Sequence, residues 1–289
     1  MPEFLIHSFI HALKDSALGL PVLFIAYLFM EMLERSRRLN EDMLHAYSKK
    51  AGPAVGGLLG VVPQCGISGA AASLFSTGSI TVGTMLAVFF ATSDEMLPIM
   101  LSSMSGENSI SPGHILGIVV SKAALGIVLG YLVDAFAGRL FAHKDIHSFC
   151  EREHCECEDE EGGVFHSALV HTLKIGLMLL AVNFLLTLLM ELGGEDWLKG
   201  SMLSVPVVSE LVLAIVGLIP NCAVSVVITE AYLAGIIGIG GLFAGLLSNA
   251  GIGLLVLFRT NSNMRENITI VVISCIFSAA AGIVIGLIF

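Results

Sequence analysis

Apolar runs of about 20 residues recur along this chain, separated by short polar stretches. As a helix, a run of that length rises about 30 Å, enough to cross the hydrocarbon of a bilayer. The runs fall near 15–34, 79–101, 113–138, 166–191, 236–258 and 267–288, and each predicts a membrane span. Two further apolar stretches, near 53–75 and 205–230, are interrupted by Pro and Gly. They read as re-entrant helical hairpins, because non-helical backbone at membrane depth survives only where protein covers it or it lines a cavity. The expected fold is an all-α polytopic membrane protein of about six spans and two hairpins, ten helical segments in all.

The pattern is written twice. Pro63–Leu101 aligns without a gap on Pro220–Phe258, so that Pro63 meets Pro220, Gln64 meets Asn221, Cys65 meets Cys222 and Ser68 meets Ser225. The likeness extends outward, His11–Glu31 paralleling His171–Glu191. This predicts a first repeat over 1–138, a hydrophilic linker over 139–165 and a second repeat over 166–289. The loop from Arg35 to Lys50 carries Arg35, Arg37, Arg38, Lys49 and Lys50, whereas its counterpart at 193–204 has one Lys beside an acidic pair. The loop 102–112 has no Lys or Arg, while its counterpart carries Arg259 and Arg265. By the positive-inside rule equivalent loops lie on opposite sides, as inverted-topology repeats require. Both termini are then expected outside and the linker inside. If Pro63 and Pro220 merely kink ordinary spans, the chain crosses eight times and the repeats are parallel.

Composition agrees with membrane residence. The chain is 55% hydrophobic and 13% charged, with a mean hydropathy of +0.89, far from the balance of a soluble domain. The net charge of -10 owes much to the acidic residues crowded into the linker, and nothing in the pattern suits nucleic acid. No cleavable signal peptide is expected, because the first long apolar run leads straight into the basic Arg35–Arg38 segment. The six cysteines make no disulfide framework, since they divide between apolar segments and the hydrophilic linker.

Candidate chemistry gathers where the two hairpins turn. Cys65 and Cys222 are each expected to open a half-helix, where unpaired N–H groups and the helix dipole favour a thiolate. Ser68 and Ser225 follow one turn later, and Gln64 and Asn221 precede. Two sulfurs, two amides and two hydroxyls suit a metal or metalloid. Asp94 and Glu95 fall inside the span after the first hairpin, Lys122 inside the next, and Glu230 near the close of the second hairpin. Charges at such depth are costly unless paired or hydrated. Asp94 or Glu95 is read as ligand or proton carrier and Lys122 and Glu230 as counter-charges; Asn249 is the partner of Thr92, so the TSDE stretch from Thr92 and the SNAG stretch from Ser248 are both read as lining the path. A buried Cys also serves as apolar filler, and Asp94 and Glu95 also fit the wet end of a span. In the linker, His147, Cys150, His154, Cys155 and Cys157 lie among dense carboxylates, an arrangement that can collect a soft or borderline cation or act as a solvated tether.

Through the GVVPQCGISG and GLIPNCAVSV motifs, the TSDEMLP stretch and the His- and Cys-bearing acidic linker, nearly the whole chain resembles the ten-segment heavy-metal exporters, a family associated with arsenic efflux and with manganese transport. The resemblance implies a secondary efflux permease in a bacterial cytoplasmic (inner) membrane. It would hold no resident cofactor and use proton or sodium as coupling ion. Its partners would be the metal or metalloid ion, the lipid bilayer and, as a homodimer, a second copy. Thiols favour arsenite or a soft metal; Asp94, Asn249, Gln64 and Asn221 favour manganese. Two other readings stay open. A transmembrane thiol-disulfide conduit, similar to the CcdA or DsbD membrane domain, would use one Pro-flanked Cys per half. A symporter for a small organic anion would hold a carboxylate at half-helix N-termini.

Overall fold

In the computed structural model the described residues are 41–63, 65–93, 95–103, 111–136 and 207–289, with isolated positions in the flanking segments 21–28 and 165–181; for 41–50, 65 and 102 the backbone alone is described. Every element among them is helical. In chain order these are α1 (Glu41–Gly60), α2 (Cys65–Ser76), α3 (Val82–Ala91), α4 (Met96–Ser102), α5 (Pro112–Phe136), α6 (Val208–Gly217), α7 (Cys222–Leu233), α8 (Ile239–Ser248), α9 (Gly253–Thr260) and α10 (Met264–Ile288).

Four segments are long and apolar enough to cross a membrane: Val82–Leu101, Pro112–Phe136, Ile239–Thr260 and Met264–Ile288. They match four of the six expected spans. The other two, 15–34 and 166–191, lie outside the described residues except at single positions, among which Phe24 and Phe165 meet edge to face with ring centroids 5.2 Å apart. Within two of the four, however, the helix is interrupted. Thr92–Glu95 separates α3 from α4, and Asn249–Ile252 separates α8 from α9. The hairpin regions also differ in detail from expectation. α1 begins at Glu41, inside the stretch expected as a loop, since Glu-Asp at its start and good helix formers after them suit a helix N-terminus. Gly56, Gly57 and Gly60, expected in non-helical backbone, are helical.

Those glycines are instead where helices touch. A Cβ on Gly56 would lie 2.7 Å from the Thr84 carbonyl oxygen, and one on Gly60 2.7 Å from that of Val88, so α1 lies directly on α3. A Cβ on Gly83 would come within 2.2 Å of the Gly130 carbonyl oxygen, which brings α5 onto α3 beside α1, and a Cβ on Gly57 would lie 2.4 Å from Ile127 of α5. Apolar side chains gain little by leaving lipid for protein, so membrane helices associate through such close backbone approach. α6, α8 and α10 make the same arrangement, with Gly240 against Gly282. The two triplets meet along α3 and α8 and exchange arms: α2 packs on α9, and α7 packs on α4. α3 is buried along its whole length and α8 from Gly240 to Ser248, whereas α5 and α10 turn Leu116, Val120, Val128, Ile268, Val272 and Ile276 outward, as faces toward lipid do.

The helix bounds recur at a fixed spacing. Cys65–Ser76, Val82–Ala91 and Met96 reappear 157 residues later as Cys222–Leu233, Ile239–Ser248 and Gly253, and α5 reappears as α10 after 152. α2 and α7 end in the same cap: Gly78 (φ +80°) and Gly235 (φ +71°) occupy the left-handed region that favours Gly. Ser79 N–H bonds the Leu74 carbonyl at 3.0 Å and Ile236 N–H that of Ala231 at 2.9 Å. Their last turns are tied across the molecule by Ser76 Oγ with Thr260 Oγ1 (2.7 Å) and Tyr232 Oη with His114 Nε2 (2.7 Å).

Because the α3–α5 crossing leaves no volume at Gly83, Gly83→Val should force the helices apart and cost about 1–3 kcal/mol or more, the range for overpacking. Lower melting temperature in detergent, with Gly113→Ala as the control at an open position, is the expected result.

Candidate functional site

The centre of the structure is built from the two interruptions. α3 ends because Thr92 and Ser93 turn their hydroxyls onto the backbone: Thr92 Oγ1 donates to the Val88 carbonyl at 2.7 Å and Ser93 Oγ to that of Ala91 at 3.1 Å. Such bonds compete with helical continuation. α8 ends in a related way at Asn249, whose Oδ1 accepts from Gly251 N–H at 2.9 Å. Gly251 stands at φ +52°, a conformation that lets the chain reverse without a Cβ clash. Thr92, Ser93, Asn249 and Ala250 are all buried. Each break therefore leaves helix-terminal carbonyls far from water, where they must find donors.

Lys122 supplies one. It lies near the middle of α5, about 15 Å along the helix from Pro112, and only 1% of it is exposed. Its Nζ donates to the Thr92 carbonyl, placing a positive charge at the carbonyl end of α3, where the helix dipole favours it.

α7 approaches the same place by its N-terminus. Asn221, in extended conformation, caps the helix by accepting from Ala223 N–H at 2.8 Å through Oδ1. Its Nδ2 is buried with no hydrogen-bond partner among the described residues. Cys222 is buried at the first helical position, and Ser225 Oγ donates to its carbonyl at 2.7 Å. Ser225, Asn249, Thr92, Ser93, Lys122, Met96 and Leu246 line one narrow slot with too little room for a water molecule.

The structure thus brings Lys122, Ser225 and Asn249 together among the residues expected from sequence, with Thr92, the expected partner of Asn249, beside them. Ser68, one turn into α2 as Ser225 is into α7, is fully buried beside Gly253 of α9. Glu95 is half-buried at the start of α4, where its carbonyl accepts from Ile99 N–H at 3.2 Å. Glu230 is exposed near the far end of α7, more than a turn beyond Ser225. Cys65 opens α2, as Cys222 opens α7. The side chains of Gln64, Cys65 and Asp94 lie outside the described residues, as do His147, Cys150, His154, Cys155 and Cys157. Among the described residues no three His, Cys, Asp or Glu gather as a metal-ligand cluster. Ser93 belongs to the TSDE stretch expected to line the path, whereas Met96 and Leu246 were not anticipated and, being apolar, carried no signal.

Apolar lipid-facing spans, interrupted inner helices and a buried polar slot at the interruptions define a polytopic helical membrane protein of transporter type. Over residues 6–195 the chain matches the family described as "Putative, 10TM heavy-metal exporter", and it belongs to that family. No curated protein and no solved structure matches it.

Lys122→Met keeps the length of the side chain while leaving the Thr92 carbonyl buried without its donor. Loss of a buried partner costs about 1–3 kcal/mol, so the variant should melt several degrees below wild type in detergent, and Lys122→Arg should recover part of that loss.

Proposed function

We propose that this protein is a secondary active efflux permease for a heavy-metal or metalloid ion, and that the ion passes through the slot between the interrupted helices. The observation that carries this reading is the convergence, at membrane depth, of two helix breaks, a capped helix start with a buried thiol, and Lys122. Discontinuous helices whose ends face a midplane site are how secondary transporters present backbone groups to an ion.

In this reading the halves 1–138 and 166–289 descend from one unit, inserted in opposite senses and joined by the cytoplasmic linker 139–165. The recurring helix bounds support the common origin, and the opposite charge bias of equivalent loops supports the inversion. The apolar arms Ala51–Gly60 and Val208–Gly217 have ten residues each, about 15 Å of helix and half a bilayer. That length favours re-entrant hairpins over full crossings.

Cys65 and Cys222 would be the soft ligands, with Gln64, Asn221, Asn249, Ser68 and Ser225 supplying neutral oxygen. Asp94 and Glu95 would carry the negative charge that balances the ion and Lys122. Glu230, exposed on α7, would act at the rim as a counter-charge. His147, Cys150, His154, Cys155 and Cys157 would collect the ion from the cytosol of a bacterial cell and feed it to the path. Arsenite suits the thiols and manganese the oxygens.

The test is cellular metal content in a metal-sensitive bacterial host challenged with manganese, zinc or arsenite. Cells expressing wild type should hold several-fold less of the transported element than cells expressing Cys65→Ser/Cys222→Ser, Asp94→Asn or Asn249→Ala at equal membrane abundance. Equal contents of all three elements in every strain would sink the proposal. A Cys65–Cys222 disulfide that tracks the redox state of its surroundings, without any change in metal content, would point to electron transfer instead.

A further inference from the structure

Lys122 has no basic counterpart in the second half of the chain. The 152-residue spacing that relates α5 to α10 carries Lys122 onto Ser274 and Gly126 onto Ser278. Both serines are buried, Ser274 at 1% exposure and Ser278 at 0%. The carbonyl end of α8 at Asn249 stands where α3 ends at Thr92, yet the position equivalent to Lys122 offers a hydroxyl instead of an ammonium.

Packing fixes where those hydroxyls lie. A Cβ on Gly282 would come within 2.5 Å of Ala244 Cβ, and one on Gly286 within 3.4 Å of Gly240 Cα, so α10 runs antiparallel to α8. One turn back along α10, Ser278 comes opposite Ser248; a further turn brings Ser274 to the break that follows Ser248. Ser248 Oγ directs its proton to the Ala244 and Gly245 carbonyls, at 3.1 and 3.0 Å, which leaves its lone pairs available. Ser278 Oγ is sealed from the surface and has no hydrogen-bond partner among the described residues. An orphan hydroxyl in a membrane interior is costly unless something meets it.

We propose that Ser248, Ser274 and Ser278, with the carbonyls that close α8, form a sodium site. Every ligand in the set is a neutral, hard oxygen, which excludes a preference for soft metals. The carbonyl end of a helix attracts a single positive charge, and Lys122 supplies that charge at the equivalent end of α3. Sodium at α8 makes the two ends electrostatically alike. A divalent ion would bring twice the charge to a set without a carboxylate, which the dry interior disfavours. The consequence, sodium as the coupling ion of export, rests on the transporter reading; the binding itself does not.

The experiment uses the purified full-length protein in detergent, with thermal unfolding and radioactive sodium binding measured in sodium chloride and in choline or potassium chloride at equal ionic strength. Sodium should raise the melting temperature saturably, as a ligand of the folded state does. Ser278→Ala and Ser274→Ala should each raise the half-saturating sodium concentration at least about tenfold. Ser274→Lys should keep a high melting temperature without sodium and lose the response to it, its ammonium standing in for the ion. Equal responses to sodium, potassium and choline, or a sodium response that neither alanine variant alters, would overturn the proposal. Absent metal efflux beside intact sodium binding would count against the export reading and leave this site standing.

Discussion

The structure depends on how it satisfies backbone carbonyls at two helix ends buried inside a bundle of membrane helices. An intact span meets this demand by itself, since all its hydrogen bonds are internal. α3 and α8 give up that economy at Thr92 and Asn249, and the rest of the architecture follows from the need to shelter the result. The broken segments are the innermost helices, with α3 buried at every residue. Their neighbours approach through glycine, because a tight shell of backbone excludes lipid from the break. At the end of α3 the hydroxyls of Thr92 and Ser93 absorb part of the demand, and Lys122 reaches in from α5 to the Thr92 carbonyl.

The helices that recur at a fixed spacing keep the same bounds while the charges among them move. At the start of α3, Asp134 from α5 accepts from Thr81 Oγ1 at 2.7 Å and Gly83 N–H at 2.8 Å. The matching position in α10 is Gly286, which cannot do this. Instead Glu210 extends from α6, at the position that holds Pro53 in α1, and its Oε1 lies about where a Cβ on Gly240 or Gly286 would be crowded, at 2.8 and 2.9 Å. A carboxylate beside a helix N-terminus is favoured by the exposed N–H groups, so a carboxylate stands near the start of both α3 and α8, supplied by different helices. Lys122 with Ser274, and Asp94 with Gly251, are further exchanges of this kind. The frame is set by small residues at close crossings, and charge can migrate around it without disturbing the crossings.

Hydropathy alone was enough to draw the four spans 82–101, 112–136, 239–260 and 264–288, because lipid exposure writes long apolar runs. The interruptions inside two of them were not legible that way. Thr92 and Ser93 are mild in hydropathy, and a window of about 20 residues averages over them. Their effect on the backbone is local and appears only when the hydroxyl bonds are seen. The glycines misled in the opposite direction, since Gly56, Gly57 and Gly60 serve equally as breakers or as contact surfaces. Only the neighbour, Thr84 or Val88, decides between them. Ser225, Asn249 and Lys122 were legible as a site because polar groups are conspicuous in an apolar chain. Met96 and Leu246 were not, and neither was the exchange between Asp134 and Glu210, which links positions far apart in sequence.

Helix polarity gives the centre its electrical character. α7 points its N-terminus, with Cys222 at the first position, toward the place where α3 and α8 end in carbonyls. N-terminal ends favour anions and C-terminal ends favour cations, so backbone alone can stabilise an anion and a cation side by side. Occupying both carbonyl ends with fixed lysines would commit the site permanently to positive charge, and a metal cation would then be repelled. Having a lysine at α3 and serines at α8 leaves one end open to a mobile charge. A site of that kind can alternate between filled and empty states without leaving a bare charge in the dry interior, and this is the electrostatic condition that a carrier of ions has to meet.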